Sequence, residues 1–97
     1  PDSNDTAVVM QALRAAGVRG RPLSRGVAFL RGLQAKDGGF RLVRGREPDA
    51  QSTAWAMQGL LAAGVKPGRA AQRYDRLAGG RAGPRRVRVP AGHVAFD

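Results

Sequence analysis

Ninety-seven residues without a cysteine suffice for one small domain and exclude disulfides, thiolate nucleophiles and cysteine-ligated zinc. The formal charge of +10 is uneven: residues 1–65 carry nine Lys or Arg against five acids, a net +4, while residues 66–97 carry eight against two, a net +6. Such a surface attracts anions in general, but with no recognisable module or interleaved aromatics beside the charge it specifies no nucleic-acid partner. The chain opens on Pro1 rather than Met, so the natural start is expected upstream. Its longest uncharged run, residues 50–65, is shorter than the ~20 apolar residues of a transmembrane segment.

The first predicted element is a helix that begins after Asp2 and returns later in the chain. Displacing the sequence by 47 positions sets residues 2–18, DSNDTAVVMQALRAAGV, over residues 49–65, DAQSTAWAMQGLLAAGV, with ten of seventeen pairs identical. A period in the forties, with helical segments between Gly and Pro, is the pattern of helical hairpins stacked side by side. In each copy an Asp, Asp2 or Asp49, stands where it can cap the helix by accepting backbone N–H bonds, and Asp5 adds an acid to the first turn. Ala-Gly-Val closes both, with Gly17 or Gly64 expected at positive φ and a Val over the last turn. Asn4-Asp5-Thr6 fits a glycosylation acceptor but overlaps that first turn, so the helix reading takes precedence. Residues 7–13 and 50–65 carry no charge and are apolar nearly all round, which assigns both copies to an inner layer with contacts on two sides.

Pro22 and Pro67 allow a restart. A second helix is predicted from about Leu23 to Lys36, with Leu23, Val27, Leu30 and Gln34 on one stripe and Arg25, Arg31 and Lys36 away from it, as suits an outer layer with one wet face. Within it and the following loop stand Arg25-Gly26, Phe29-Leu30, Gln34, Gly38 and Phe40. This spacing resembles the QW motif of squalene-hopene and oxidosqualene cyclases, with Phe40 where Trp is usual. Gly38-Gly39-Phe40 is similar to loops in protein prenyltransferase β subunits and in cobalamin-carrier relatives of the same α/α-toroid group. The likeness covers residues 2–72. Physically, the Gln34 amide is expected to tie loose helix-end backbone groups, the Phe40 ring to stack on it, and the glycines to permit a tight turn.

The repeat and the resemblance together imply an all-α chain, an α/α toroid or solenoid of helical hairpin repeats with three to four helices over residues 1–78, and residues 79–97 are read as an irregular basic tail. The tail reading follows from failure of the repeat. Adding 47 to the motif positions calls for an aromatic near 76, Gln near 81 and Gly-Gly-Phe near 85–87, but Arg76, Arg81 and Arg85-Arg86-Val87 stand there, and only Leu77 matches, opposite Leu30. Residues 79–92 are rich in Gly, Pro and Arg and lack the material of a packed helix, whether as a native tail or as a misread coding end. His93 has no acid or thiol at a useful spacing and is read as exposed.

The family's chemistry can be tested position by position. Terpene cyclases share an Asp-x-Asp-Asp acid motif, which Glu47 and Asp49 do not form. Prenyltransferases carry Asp-x-Cys at the head of an inner helix; Asp49 matches the Asp, but Gln51 occupies the Cys place and Asn4 the same place in the first copy. A zinc centre of sulfur and imidazole cannot form, and neither a metal nor a cofactor is expected. Asp49 is read as a cap. Arg41, Arg44 and Arg46 either form a solvated loop or meet an anion. Trp55 belongs to the core or, with Asp49 and Gln51, to a cavity wall where its face can attract a cation. The implied role is a non-catalytic scaffold or ligand-cavity wall, partnered by the remaining repeats of a longer chain and by an apolar small molecule, in a secreted or extracytoplasmic setting. The alternative is part of a class II terpene cyclase, an isomerase, whose acid motif lies outside these residues.

Overall fold

The computed structural model describes residues 1–82, with backbone alone at 79–82. Four helices follow one another: α1 (Ser3–Ala15), α2 (Arg21–Gly32), α3 (Ala50–Ala62) and α4 (Arg69–Ala82). No strand occurs among the described residues, only two isolated bridges, Gln34 with Phe40 and Arg41 with Pro48.

The sequence repeat is also a repeat of structure. α1 and α3 begin and end at positions 47 residues apart. Oδ1 of Asp2 accepts from the Asp5 amide at 2.7 Å, and Oδ1 of Asp49 accepts from the Ser52 amide at 2.7 Å. Each cap satisfies one of the donors that a helix start leaves over. At the other end Gly17 and Gly64 take φ of 85° and 81°. The Val18 amide donates to the Leu13 carbonyl and the Val65 amide to the Leu60 carbonyl, both at 2.9 Å, so both helices close in a Schellman motif.

α1 packs most extensively on α3, α2 packs on α1 and to a smaller extent on α3, and α4 packs on α3. Every element contributes to one buried cluster: Met10 from α1, Leu30 from α2, Phe40 from the long connection, Met57 and Leu60 from α3, and Ala71 from α4. Burying each of the larger side chains stabilises the fold by about 1.5–3 kcal/mol.

Three expectations need correction. The second helix, read to Lys36, ends at Gly32. Glycine is a poor helix former, and beyond it the backbone pairs instead with the Gly-Gly-Phe loop: the Ala35 amide donates to the Gly39 carbonyl at 2.7 Å and the Arg41 amide to the Leu33 carbonyl at 3.0 Å. Second, the hairpins fall out of step by one residue after α3. Gly20 and Gly68, 48 positions apart, both carry positive φ immediately before a helix, because the link Lys66-Pro67 is one residue longer than the lone Arg19 of the first hairpin. Leu77 therefore corresponds to Phe29 rather than Leu30, and it is exposed. Residues 79–82, assigned by sequence to the tail, continue the α4 backbone; the rest of that tail, with His93, lies outside the described residues.

Candidate functional site

The motif positions divide by burial. Gly26, Leu30, Gly38 and Phe40 are buried, Phe29 and Gln34 half-buried, and Arg25 exposed. A Cβ on Gly26 would come within 2.6 Å of the Met10 sulfur, so the small residue is what lets α2 lie on α1. The Gln34 amide works at both ends: its Nε2 donates to the Gly38 carbonyl at 3.2 Å, and its Oε1 accepts from Nη1 of Arg31 at 3.0 Å. That guanidinium also donates to the carbonyls of Pro67 at 3.3 Å and Lys66 at 3.2 Å. A chain of hydrogen bonds thus runs from the glycine loop through α2 to the link between α3 and α4. The Phe40 ring belongs to the core, and Gln34 and Phe40 are joined by backbone pairing.

Each loop glycine has its own reason. Gly38 sits at φ 94°, and a Cβ there would lie 2.2 Å from the backbone carbon and oxygen of Ala70. At Gly39 it would meet the Tyr74 ring at 2.6 Å and Pro48 at 2.7 Å. The Phe40 amide donates to Oγ1 of Thr53 at 2.8 Å, and that hydroxyl donates to the Asp49 carbonyl at 2.8 Å. Thr53 is fully buried and is one of the identical repeat pairs. Arg31, Thr53 and Tyr74 escaped the sequence reading; for Thr53 the repeat itself was the available signal.

Asp49 spends both carboxylate oxygens on Ser52, Oδ1 on the amide and Oδ2 on the hydroxyl at 2.9 Å. Gln51 and Trp55 are exposed, Trp55 at 37 %, so the core reading of the tryptophan does not hold. Neither lines the surface depressions of about 510, 470 and 360 Å³ that flank α4 and the α1–α2 turn. Arg41 turns back to the Leu33 carbonyl at 3.4 Å, while Arg44 and Arg46 are exposed. Among the described residues no group of three or more His, Asp or Glu could hold a metal ion, and no helix is long and apolar enough to cross a membrane.

One ionisable group is perturbed. Burial, and then the negative charges of Asp37, Asp49 and Glu47, raise the Tyr74 phenol above its usual 10.0. The neutral form is favoured in the folded chain, so this contribution to stability is complete below pH 10.0 and is lost as pH rises through the higher native value. Because Tyr74 is the only tyrosine, an absorbance titration reads it directly. The midpoint should lie above that of the urea-unfolded chain, and added salt should close part of the gap by screening the carboxylates. Coincident midpoints would refute the placement of Tyr74 against the loop.

Position-by-position comparison of α1 with α3 adds what sequence reasoning missed. Asn4, Val8, Gln11 and Ala15 correspond to Gln51, Trp55, Gln58 and Ala62, and all eight are exposed or half-buried. Spacings of four, three and four place each set on one helix face, opposite the core stripe of Thr53, Met57 and Leu60. Both faces read amide, apolar, amide, alanine, with no charge. Oδ1 of Asn4 and Nε2 of Gln11 are buried as atoms and have no hydrogen-bond partner among the described residues. Comparison with family models, with curated proteins and with solved structures gave no match.

Proposed function

We propose that this chain is a non-catalytic helical-hairpin scaffold, similar in plan to the α/α toroids of squalene cyclases and protein prenyltransferases, whose helices α1 and α3 form the wall of a ligand cavity completed by further hairpins of the same kind, from the same chain or from neighbouring copies. The observation that carries the reading is the doubled amide–apolar–amide face. In a chain of net charge +10 with a quarter of its residues charged, a partly exposed stripe free of ionisable groups on two repeated helices fits an uncharged, largely apolar small molecule with a hydrogen-bonding group. Apolar walls with a few polar groups are the usual make-up of small-molecule sites.

Trp55 is the only tryptophan and reports on that face. Titration with the isoprenoid alcohol farnesol should give a saturable blue shift of its emission, and Gln51→Arg, which places a charge one turn away, should weaken binding at least tenfold. A response that never saturates, or that is the same in Gln51→Arg, would dispose of the cavity-wall reading.

A further inference from the structure

α1 and α3 are repeats of one helix, identical at ten of seventeen aligned positions, and their exposure can be compared position by position. Asp5, Val9, Ala12 and Ala16 are exposed on α1; their counterparts Ser52, Ala56 and Gly59 are buried on α3 and Ala63 is half-buried. Spacings of four, three and four residues again define one stripe, distinct from the amide face. On α3 this stripe is covered by α1: a Cβ on Gly59 would lie 2.9 Å from Cα and Cβ of Ala7. The converse holds on the other side. Ser3 and Ala7 are fully buried on α1, whereas their counterparts Ala50 and Ala54 are half-buried on α3. The positions that form the internal α1–α3 interface are therefore presented a second time, with Asp5, Val9 and Ala12 where α3 has Ser52, Ala56 and Gly59, and with Ala50 and Ala54 where α1 has Ser3 and Ala7.

We propose that a second copy of the chain docks head to tail, its Ala50–Ala54 stripe against the Val9–Ala12 stripe of the first, continuing the internal α1–α3 interface between molecules. The occupant is a copy because the only surface shown to fit such a stripe is the opposite face of the same helix. Val9, 53 % exposed, supplies apolar area to bury. The intermolecular contact is looser than the internal one. Where Gly59 meets Ala7, the copies set Ala12 against Ala54, and a methyl that would stand 2.9 Å from its neighbour forces the helices further apart. Mutual repulsion of chains of net charge +10 weakens association further and makes it stronger in salt. The contact is heterologous, so it can propagate beyond a dimer.

Sedimentation of the full chain from micromolar to millimolar concentration should show an average mass that rises with concentration and with salt. Ala12→Arg removes one face and Ala54→Arg the other, so each variant alone should be monomeric, with self-association weakened at least tenfold. Mixing the two should restore a one-to-one pair and nothing larger, since each retains the face that the other lacks. The mixture also controls for added charge, because both variants carry it. Val9→Arg and Ala50→Arg form an equivalent pair should either first variant lose helical content. A wild-type chain that stays monomeric throughout, single variants that still associate, or a mixture that remains monomeric would each overturn the proposal.

Discussion

Gly38→Ala is expected to destabilise the chain by about 2–5 kcal/mol, the sum of left-handed backbone strain of about 1–2 kcal/mol and overpacking of about 1–3 kcal/mol. The methyl would be driven into the backbone of Ala70, and a helix backbone, unlike a side-chain tip, cannot swing aside without moving the whole element. Gly45 is the control. It has nearly the same φ, 83° against 94°, but nothing lies within 4 Å of its added Cβ, so Gly45→Ala should cost only the strain of about 1–2 kcal/mol. Urea unfolding of both variants separates the two terms, and hydrogen exchange should show faster amides in α4 for Gly38→Ala alone. Equal costs would mean that the close approach of loop and helix is absent in solution.

Phe40→Ala should cost about 3–5 kcal/mol, the usual range for truncating a fully buried aromatic. Gln34→Ala should cost about 1–3 kcal/mol, because it leaves the buried Gly38 carbonyl without its donor. The two residues hold one loop in place, joined by the bridge between their backbones, so once either is gone the other has less to hold. Their effects should fall short of additive by about 0.5 kcal/mol or more. A domain of this size holds only about 5–15 kcal/mol in all, so the cycle is better closed with Phe40→Leu, a smaller loss. Strict additivity with small single costs would make the spacing of Gln34 and Phe40 a coincidence of sequence.

The parts of the fold that were legible are those governed by local chemistry. Asp2 and Asp49 as caps, Gly17 and Gly64 as left-handed closures, and the uncharged helices that follow them all depend on residues a few positions apart. Periodicity found the body of α2 but not its end, because the Leu23, Val27, Leu30, Gln34 stripe continues on paper after the backbone has turned to pair with the glycine loop. The one-residue slip after α3 was hidden in the same way. A repeat measured on one helix says nothing about the length of the next link, and Pro67 shifted everything behind it. For Trp55 the sequence left core and cavity wall both open because burial depends on neighbours: the same helix face that Val8 exposes on α1 is exposed on α3. Arg31 looked like a solvated charge, since nothing in its own helix announces the Lys66 and Pro67 carbonyls that receive it.

The connection over residues 33–49 has a consequence for how such a chain can lengthen. It is tied to all four helices: the Ser3 amide of α1 donates to its Leu42 carbonyl at 2.9 Å, its Gln34 side-chain oxygen accepts from Arg31 of α2, its Phe40 amide donates to Thr53 of α3, and its Gly38 lies against α4. Surface connections ordinarily absorb added residues at little cost, but here an insertion between Leu33 and Val43 would pull on every helix at once. Residues 44–47 are exposed, and Gly45 has open space around it. That short tip is where a descendant of this chain can acquire a new segment, or an engineer a new pair of termini, without rebuilding the rest.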